Sequence, residues 1–277
     1  MTEPVRTRAD LLSARRIVVK VGSSSVSGRN VHQIDPLVDA LAAAHDRGCE
    51  VILVSSGAIA TGMPYLHLDD RPTDLATQQA AAAVGQNVLV YRYQESLRRY
   101  LIVAAQILLT AGDMENPVNR SNARRAMERL LALRILPIVN ENDTVATHEI
   151  RFGDNDRLAA LVSELVRADA LVLLSDVDGL YTAPPTEPGA KRIDEVAFGD
   201  ELHEVTFGDI GAAGVGTGGA GTKVAAARLA TAAGIPVLLA ETTAVREALE
   251  GQQLGTWFAA GPRRVPLDRP APGVAAT

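Results

Sequence analysis

The sequence predicts an α/β protein, a three-layer αβα sandwich built around a mainly parallel central sheet. Three observations carry this expectation. Short aliphatic runs such as Ile17-Val18-Val19 and Val51-Ile52-Leu53-Val54 alternate with longer helical stretches along most of the chain. The runs are apolar at every position, as strands covered on both faces require. Several of them end in small or polar residues, at the sheet edge where open α/β folds bind their ligands.

The elements follow in order. Residues 17–21 form a β-rich run that ends in Gly22-Ser23-Ser24-Ser25, and a helical pattern covers 34–47. Residues 51–54 make the second strand, 74–100 a long Ala-rich helix and 101–109 a third strand. A helix over 119–133 leads to a fourth strand at 135–139. The rhythm then repeats, with a helix at 157–166, a strand at 170–174, a helix at 223–233 and a strand at 235–240. Between 182 and 215 it breaks into Pro-, Gly- and acid-rich sequence, expected as loops and a hairpin. Residues 1–14 read as an N-terminal extension, 15–260 as the folded domain and 261–277 as a flexible tail.

Composition narrows the function. The chain has 277 residues, 47% apolar and 22% charged, enough for a large core. Aromatics at 4% and a net charge of −6, with no basic stretch, disfavour a nucleic-acid binder. Cys49 is the single cysteine, so no internal disulfide forms. The five histidines are scattered without ligand spacing, which argues against a zinc site. No stretch reaches the roughly 18 apolar residues of a membrane span, and residues 1–16 lack an apolar signal region. A cytoplasmic protein is expected.

Polar residues gather at four strand ends: Lys20 with Gly22 and Ser23, Ser55-Ser56-Gly57, Asn140 to Asp143, and Ser175-Asp176. Ordinary turn chemistry explains any one of these, whereas four on one edge point to a site. Lys20 alone reads as a snorkelling surface lysine, but the Gly-Ser segment after it makes it a phosphate-binding candidate. A second candidate is the glycine-rich segment that includes Thr217, Gly218, Gly219, Ala220, Gly221 and Thr222 and runs through Lys223 into a helix. Thr222 between Gly221 and Lys223 breaks a P-loop pattern. Gly216-x-Gly218-x-x-Gly221 satisfies a dinucleotide fingerprint by letter, with Glu241 downstream, but 207–213 make a poor leading strand. Gly153-Asp154-Asn155-Asp156 offers three capping side chains where one suffices.

Together these segments resemble the amino acid kinase family, and within it the branch that phosphorylates the γ-carboxylate of L-glutamate at the head of proline biosynthesis. The residues that carry the resemblance are Lys20 to Ser24, Val54 to Ala60, Ala83 to Gln86, Ile138 to Ala146, Phe152 to Asp156, Leu174 to Asp176, and Gly216 to Gly219 with Lys223. It covers about residues 15–260. It implies ATP and Mg²⁺ as cofactors, the metal held mainly by ATP phosphates and water. Lys20 and Lys223 are implied as the catalytic lysines and Asp156 as the carboxylate that orients them. Ser56, Gly57, Asn140, Asp143, Asp154 and Asn155 are implied at the glutamate site, in a lobe of about 15–168. Lys20, Gly22, Ser23, Ser175, Asp176 and residues 217–223 are implied at the ATP site, in a lobe of about 169–260. The resemblance further implies a homo-oligomer, dimer or tetramer, with 74–100 as a possible dimer face. It also implies feedback inhibition by proline and functional coupling to glutamate-5-semialdehyde dehydrogenase. Two departures stand out. The chain ends where many members carry an RNA-binding-like PUA domain, and Ala220-Gly221 replace a residue that is often bulkier. A carboxylate acceptor is ionised at pH 7, so this chemistry needs no general base. Another carboxylate or carbamate kinase of the family, or a dinucleotide-binding oxidoreductase, is the alternative.

Overall fold

The structure, a computed structural model, describes residues 4–146, 155–206 and 219–262. The first half alternates as expected: β1 (Arg16–Val21), a helical turn α1 (Ser23–Val26), α2 (Ile34–Asp46), β2 (Glu50–Val54), α3 (Ala58–Gly62), α4 (Leu75–Arg98) and β3 (Ala104–Leu109). Next come α5 (Ala111–Glu115), α6 (Pro117–Ala132), β4 (Leu136–Glu141), α7 (Asn155–Leu165) and β5 (Ala170–Ser175). A small ladder of β6 (Leu180–Tyr181) with β7 (Arg192–Ile193) precedes β8 (Glu195–Val196), α8 (Ala220–Ala232), β9 (Val237–Glu241), α9 (Val245–Leu249) and β10 (Thr256–Phe258).

Eight strands form one sheet in the order β3-β4-β2-β1-β5-β9-β10-β8. From β3 to β9 every pairing is parallel, and β10 then runs antiparallel to β9. The strand order turns at β1, which pairs with β2 on one side and β5 on the other. That is the topological switch point, where a crevice opens beyond the carboxyl ends of the strands.

Alternate residues of the central strands feed two separate cores. Ile17, Val19, Val51 and Leu53 pack with Leu37 and Leu41 of α2, Leu89 and Tyr93 of α4, and Leu249 of α9. Val18, Ile52 and Val54 face the other way, onto Met127 of α6, Leu158 and Val162 of α7, and Ala227 of α8. This period of two, with both faces apolar, produces the three layers. Cys49 lies in the first core, and burial pushes its thiol up to about 12, so it stays protonated and unreactive.

Four details differ from the sequence expectation. The third strand starts at Ala104 and not at 101, because Leu101 takes a left-handed turn after α4 (φ 57°) and is 93% exposed. Ser23–Val26 is one helical turn where a loop was expected, closed by Ser25 N–H on Gly22 O (3.2 Å) and Ser27 N–H on Ser23 O (3.1 Å). The helix expected from 223 starts at Ala220, capped by Gly219, with the Thr222 hydroxyl donating to Gly219 O at 2.9 Å. The short α3, α5, α9, β8 and β10 carry too few residues to display a period and were not anticipated. The expected hairpin is present as β6 and β7, antiparallel, and residues 207–215 of that stretch lie outside the described residues. The N-terminal extension packs onto the domain through a fully buried Leu11. From 263 onward the expected tail also lies outside the described residues.

The site depends on a close crossing of α3 and α4. A Cβ added to Gly85 would fall 1.8 Å from the Ala58 carbonyl oxygen, and one added to Gly62 would fall 1.9 Å from that of Ala81. Both obstacles are backbone, so no side-chain rotation relieves them. Gly85→Ala is therefore expected to destabilise the fold by at least about 1–3 kcal/mol, the usual cost of overpacking. Thermal unfolding measures this, and an unchanged melting temperature would refute the crossing.

Candidate active site

The end of β1 carries a lysine into the protein interior. Lys20 is only 3% exposed and does not snorkel. It lies on the same face of β1 as Val18, the face that α7 and α8 cover, so these helices and not the neighbouring strands enclose its side chain. Its ammonium pairs with Oδ1 of Asp156, and Lys223 Nζ donates to Oδ2 of the same carboxylate at 3.0 Å. Asp156 is fully buried in the first turn of α7 and Lys223 lies in the first turn of α8, so the packing of these two helices brings the groups together.

Burial would push the Asp156 carboxyl up, but the two ammonium groups outweigh it and hold the acid below the usual carboxylate range. Among the described residues no other acid pairs with either lysine. Two buried cations sharing one anion leave an excess positive charge in a nearly dry site. Such a charge is costly unless an anion joins it. The cluster is therefore a place for a phosphoryl group or a carboxylate. A Cβ at Gly22 would stand 4.0 Å from Lys20 Nζ, which places the β1–α1 turn beside that ammonium.

A chain of amides runs alongside. The two protons of Asn155 Nδ2 are shared among Ser55 O (2.9 Å), Ser56 Oγ (3.0 Å) and Asn140 Oδ1 (2.9 Å). Asn140, 1% exposed at the end of β4, donates in turn to Gln86 Oε1 of α4 at 2.6 Å. The ends of β2 and β4 and the start of α7 are thus locked to one another. Gly57 makes this possible: its left-handed backbone (φ 93°) turns β2 into α3, and a Cβ there would press on the Cα and Cβ of Ser23 at 3.3 Å. Beneath it the Ser55 hydroxyl meets the hydroxyl of fully buried Tyr93 at 3.0 Å. Burial raises the Tyr93 phenol, so it remains a neutral partner.

On the other side of β1, Ser175 ends β5 and its hydroxyl donates to Asp176 Oδ1 at 3.1 Å, with Asp176 exposed. Asp143 is half-buried in the turn after β4. Gly219 caps α8, and Ala220, Gly221 and Thr222 form its first turn. Asp154, Thr217 and Gly218 lie outside the described residues.

Sequence reasoning did not assign roles to two residues of this region. Thr242, just past β9, donates its hydroxyl proton to Ser175 O (2.9 Å) and meets the Ser25 hydroxyl at 2.8 Å, tying the turn after β1 to the end of β5. Gln86 stood in the resemblance only as part of a helix, although a glutamine three residues beyond an Ala-rich, otherwise apolar stretch was a signal of polar work inside the fold.

A buried lysine pair organised by one carboxylate, at the switch point of a parallel sheet, is an anion-accepting arrangement in an α/β fold. The chain belongs to the amino acid kinase family, whose sequence model matches residues 15–241. It is 74% identical over 253 residues to the glutamate 5-kinase of Clavibacter sepedonicus, across 91% of this chain and 97% of that relative. Against the glutamate 5-kinase of Leifsonia xyli subsp. xyli it is 69% identical over 252 residues, 91% and 93% of the two chains. The glutamate 5-kinase of Streptomyces coelicolor is 56% identical over 255 residues, 91% of this chain but 68% of that longer relative. Family membership removes the dinucleotide-binding alternative. Among the described residues no helix is long and apolar enough to cross a membrane.

Proposed function

We propose that this chain transfers the γ-phosphoryl group of ATP to the γ-carboxylate of L-glutamate, giving L-glutamyl 5-phosphate, the first step of proline biosynthesis. The observation that carries the reading is the pair of buried lysines, Lys20 and Lys223, held on the two oxygens of Asp156. A γ-carboxylate oxygen attacks the γ-phosphorus in line, the bond to the β-phosphate bridging oxygen breaks, and ADP leaves. The nucleophile is already ionised, so no proton needs removing. What the reaction requires is alignment of two anions and neutralisation of the charge that spreads over the transferring group.

Lys20 reaches the phosphates from β1, together with Gly22 and Ser23. Lys223 reaches them from α8, and Asp156 fixes the spacing of the two ammonium groups. Ser175, Asp176 and residues 217–223 belong to the nucleotide's side, in the lobe after about 168. Ser56, Gly57, Asn140, Asp143, Asp154 and Asn155 belong to the glutamate side, in the lobe before it. When bound with ATP, Mg²⁺ supplies further positive charge at the phosphates. Both oxygens of Asp156 are taken by lysines, which fits an ion carried by phosphate and water oxygens. Proline, sharing glutamate's α-amino and α-carboxylate groups, is proposed as a feedback inhibitor at the glutamate site. A homo-oligomer in the cytoplasm, coupled to glutamate-5-semialdehyde dehydrogenase that consumes the acyl phosphate, completes the reading.

ADP release measured with L-glutamate, L-aspartate and carbamate as acceptors tests the substrate. Glutamate is expected to exceed the other two by at least about 100-fold in kcat/KM, since a site built to pair every polar group rejects an acceptor that leaves one unpaired. Equal rates with aspartate or carbamate would move the chain to another branch of the family.

A further inference from the structure

The amide chain described above leaves one donor with no acceptor among the described residues, and its direction is fixed by the backbone. Ser55 O is a carbonyl and can only accept, so the Asn155 group 2.9 Å away is its NH₂. That NH₂ meets the oxygen of Asn140. The same Asn140 oxygen accepts the Glu141 backbone N–H at 3.0 Å, which can only donate, so the Asn140 orientation is determined twice. The Asn140 NH₂ therefore faces Gln86 at 2.6 Å, and Gln86 must answer with its oxygen. Its own Nε2 is left over. Gln86 is only 8% exposed, and Nε2 is buried with no acceptor among the described residues. At the far end of the chain Asn155 Oδ1 is likewise buried, an acceptor with no donor among them.

Native proteins pair nearly all buried polar groups, so an orphaned donor and an orphaned acceptor at two ends of one rigid chain imply a ligand that satisfies both. An α-amino acid carries the required complement, an anionic carboxylate beside a cationic ammonium. We infer that Gln86 is a specificity-determining residue of the acceptor site, whose Nε2–H binds the α-carboxylate that is not phosphorylated while Asn155 Oδ1 takes the α-ammonium. This deepens, and rests on, the glutamate-phosphorylating function proposed above. The Gln86 oxygen, held by Asn140, prevents the amide from turning, so the donor is aimed before the substrate arrives. A hydrogen bond to a charged group is also stronger than one between neutral partners.

The test uses the full chain with Gln86→Glu and Gln86→Met, comparing KM for glutamate, KM for ATP, and kcat in the ADP-release assay. Gln86→Glu keeps an acceptor for Asn140 but replaces the donor with negative charge. Gln86→Met keeps the length and removes both polar atoms. The glutamate KM is expected to rise roughly 10- to 100-fold in each variant, as loss of a hydrogen bond to a charged group implies. The ATP KM is expected to move by less than about threefold, because Gln86 is bonded into the Asn140–Asn155 amide chain and not to a group proposed for the nucleotide. A glutamate KM within about twofold of the parent in Gln86→Glu would overturn the assignment. A parallel loss of ATP binding in both variants would also overturn it, because Gln86 would then be a residue of the fold. If the parent chain itself releases no ADP with glutamate, the proposed function fails as well, an outcome distinct from unaltered variants of an active parent.

Discussion

Replacing Lys20 or Lys223 with alanine is expected to lower kcat by about 10²- to 10³-fold, the usual cost of removing one charge-stabilising donor from a transition state. ATP affinity should fall much less, because the remaining strand-end and α8 contacts still hold the nucleotide. The two variants should not be additive. Each lysine is positioned by the same carboxylate, so removing one lets Asp156 relax onto the other, and the double variant should lose less than the product of the single losses. Steady-state kinetics with independently measured ATP binding checks this. A single variant with near-parental turnover would remove that lysine from the mechanism.

The second large effect belongs to Asp156. In Asp156→Asn the charges of Lys20 and Lys223 lose their shared partner at nearly complete burial. Removing one member of a buried ionic cluster costs about 3–5 kcal/mol. Turnover should fall at least as far as in either lysine variant, since both ammonium groups lose their position. The stability effect carries a pH signature. Burial raises the Asp156 carboxyl and the two lysines more than reverse this, so its folded value lies below its unfolded one. Its contribution is therefore complete above the unfolded value, about pH 4, and is lost as the pH falls further through the folded value. Denaturant unfolding of parent and variant should show a full gap at pH 7 that closes below about pH 4. A gap independent of pH would mean that Asp156 acts through packing and not through its charge.

How much of this was legible in the sequence follows from where the information resides. β1, β2, β4, β5 and β9 each hold a run of aliphatic residues because helices cover both faces, so their character is written locally. β10 is three residues long and antiparallel, held by pairing to β9 and by burial of Trp257, and no three-residue window displays that. Lys20 and Lys223 were conspicuous because each lies beside glycines. Their burial was not, since it depends on α7 and α8 packing over one face of β1. The link from both lysines to Asp156 came from family resemblance, and only the docking of α7 on α8 makes it a geometric fact. Gln86 and Asn140 are 54 residues apart, and Thr242 and Ser25 are 217 apart. Hydrogen bonds of that span leave no local pattern, because each residue is ordinary in its own segment and acquires its role only when the chain closes.

The central claim is that the lysine pair drives phosphoryl transfer onto the γ-carboxylate of glutamate, and trapping the acyl phosphate tests it most directly. Hydroxylamine attacks the acyl carbon of such a product, forming the γ-hydroxamate and releasing inorganic phosphate. With MgATP, glutamate and hydroxylamine, the parent chain should yield one γ-glutamyl hydroxamate for each ADP, and the Lys223→Ala variant should yield almost none of either. ADP formed without hydroxamate, or hydroxamate formed at the parental rate by the variant, would contradict the account.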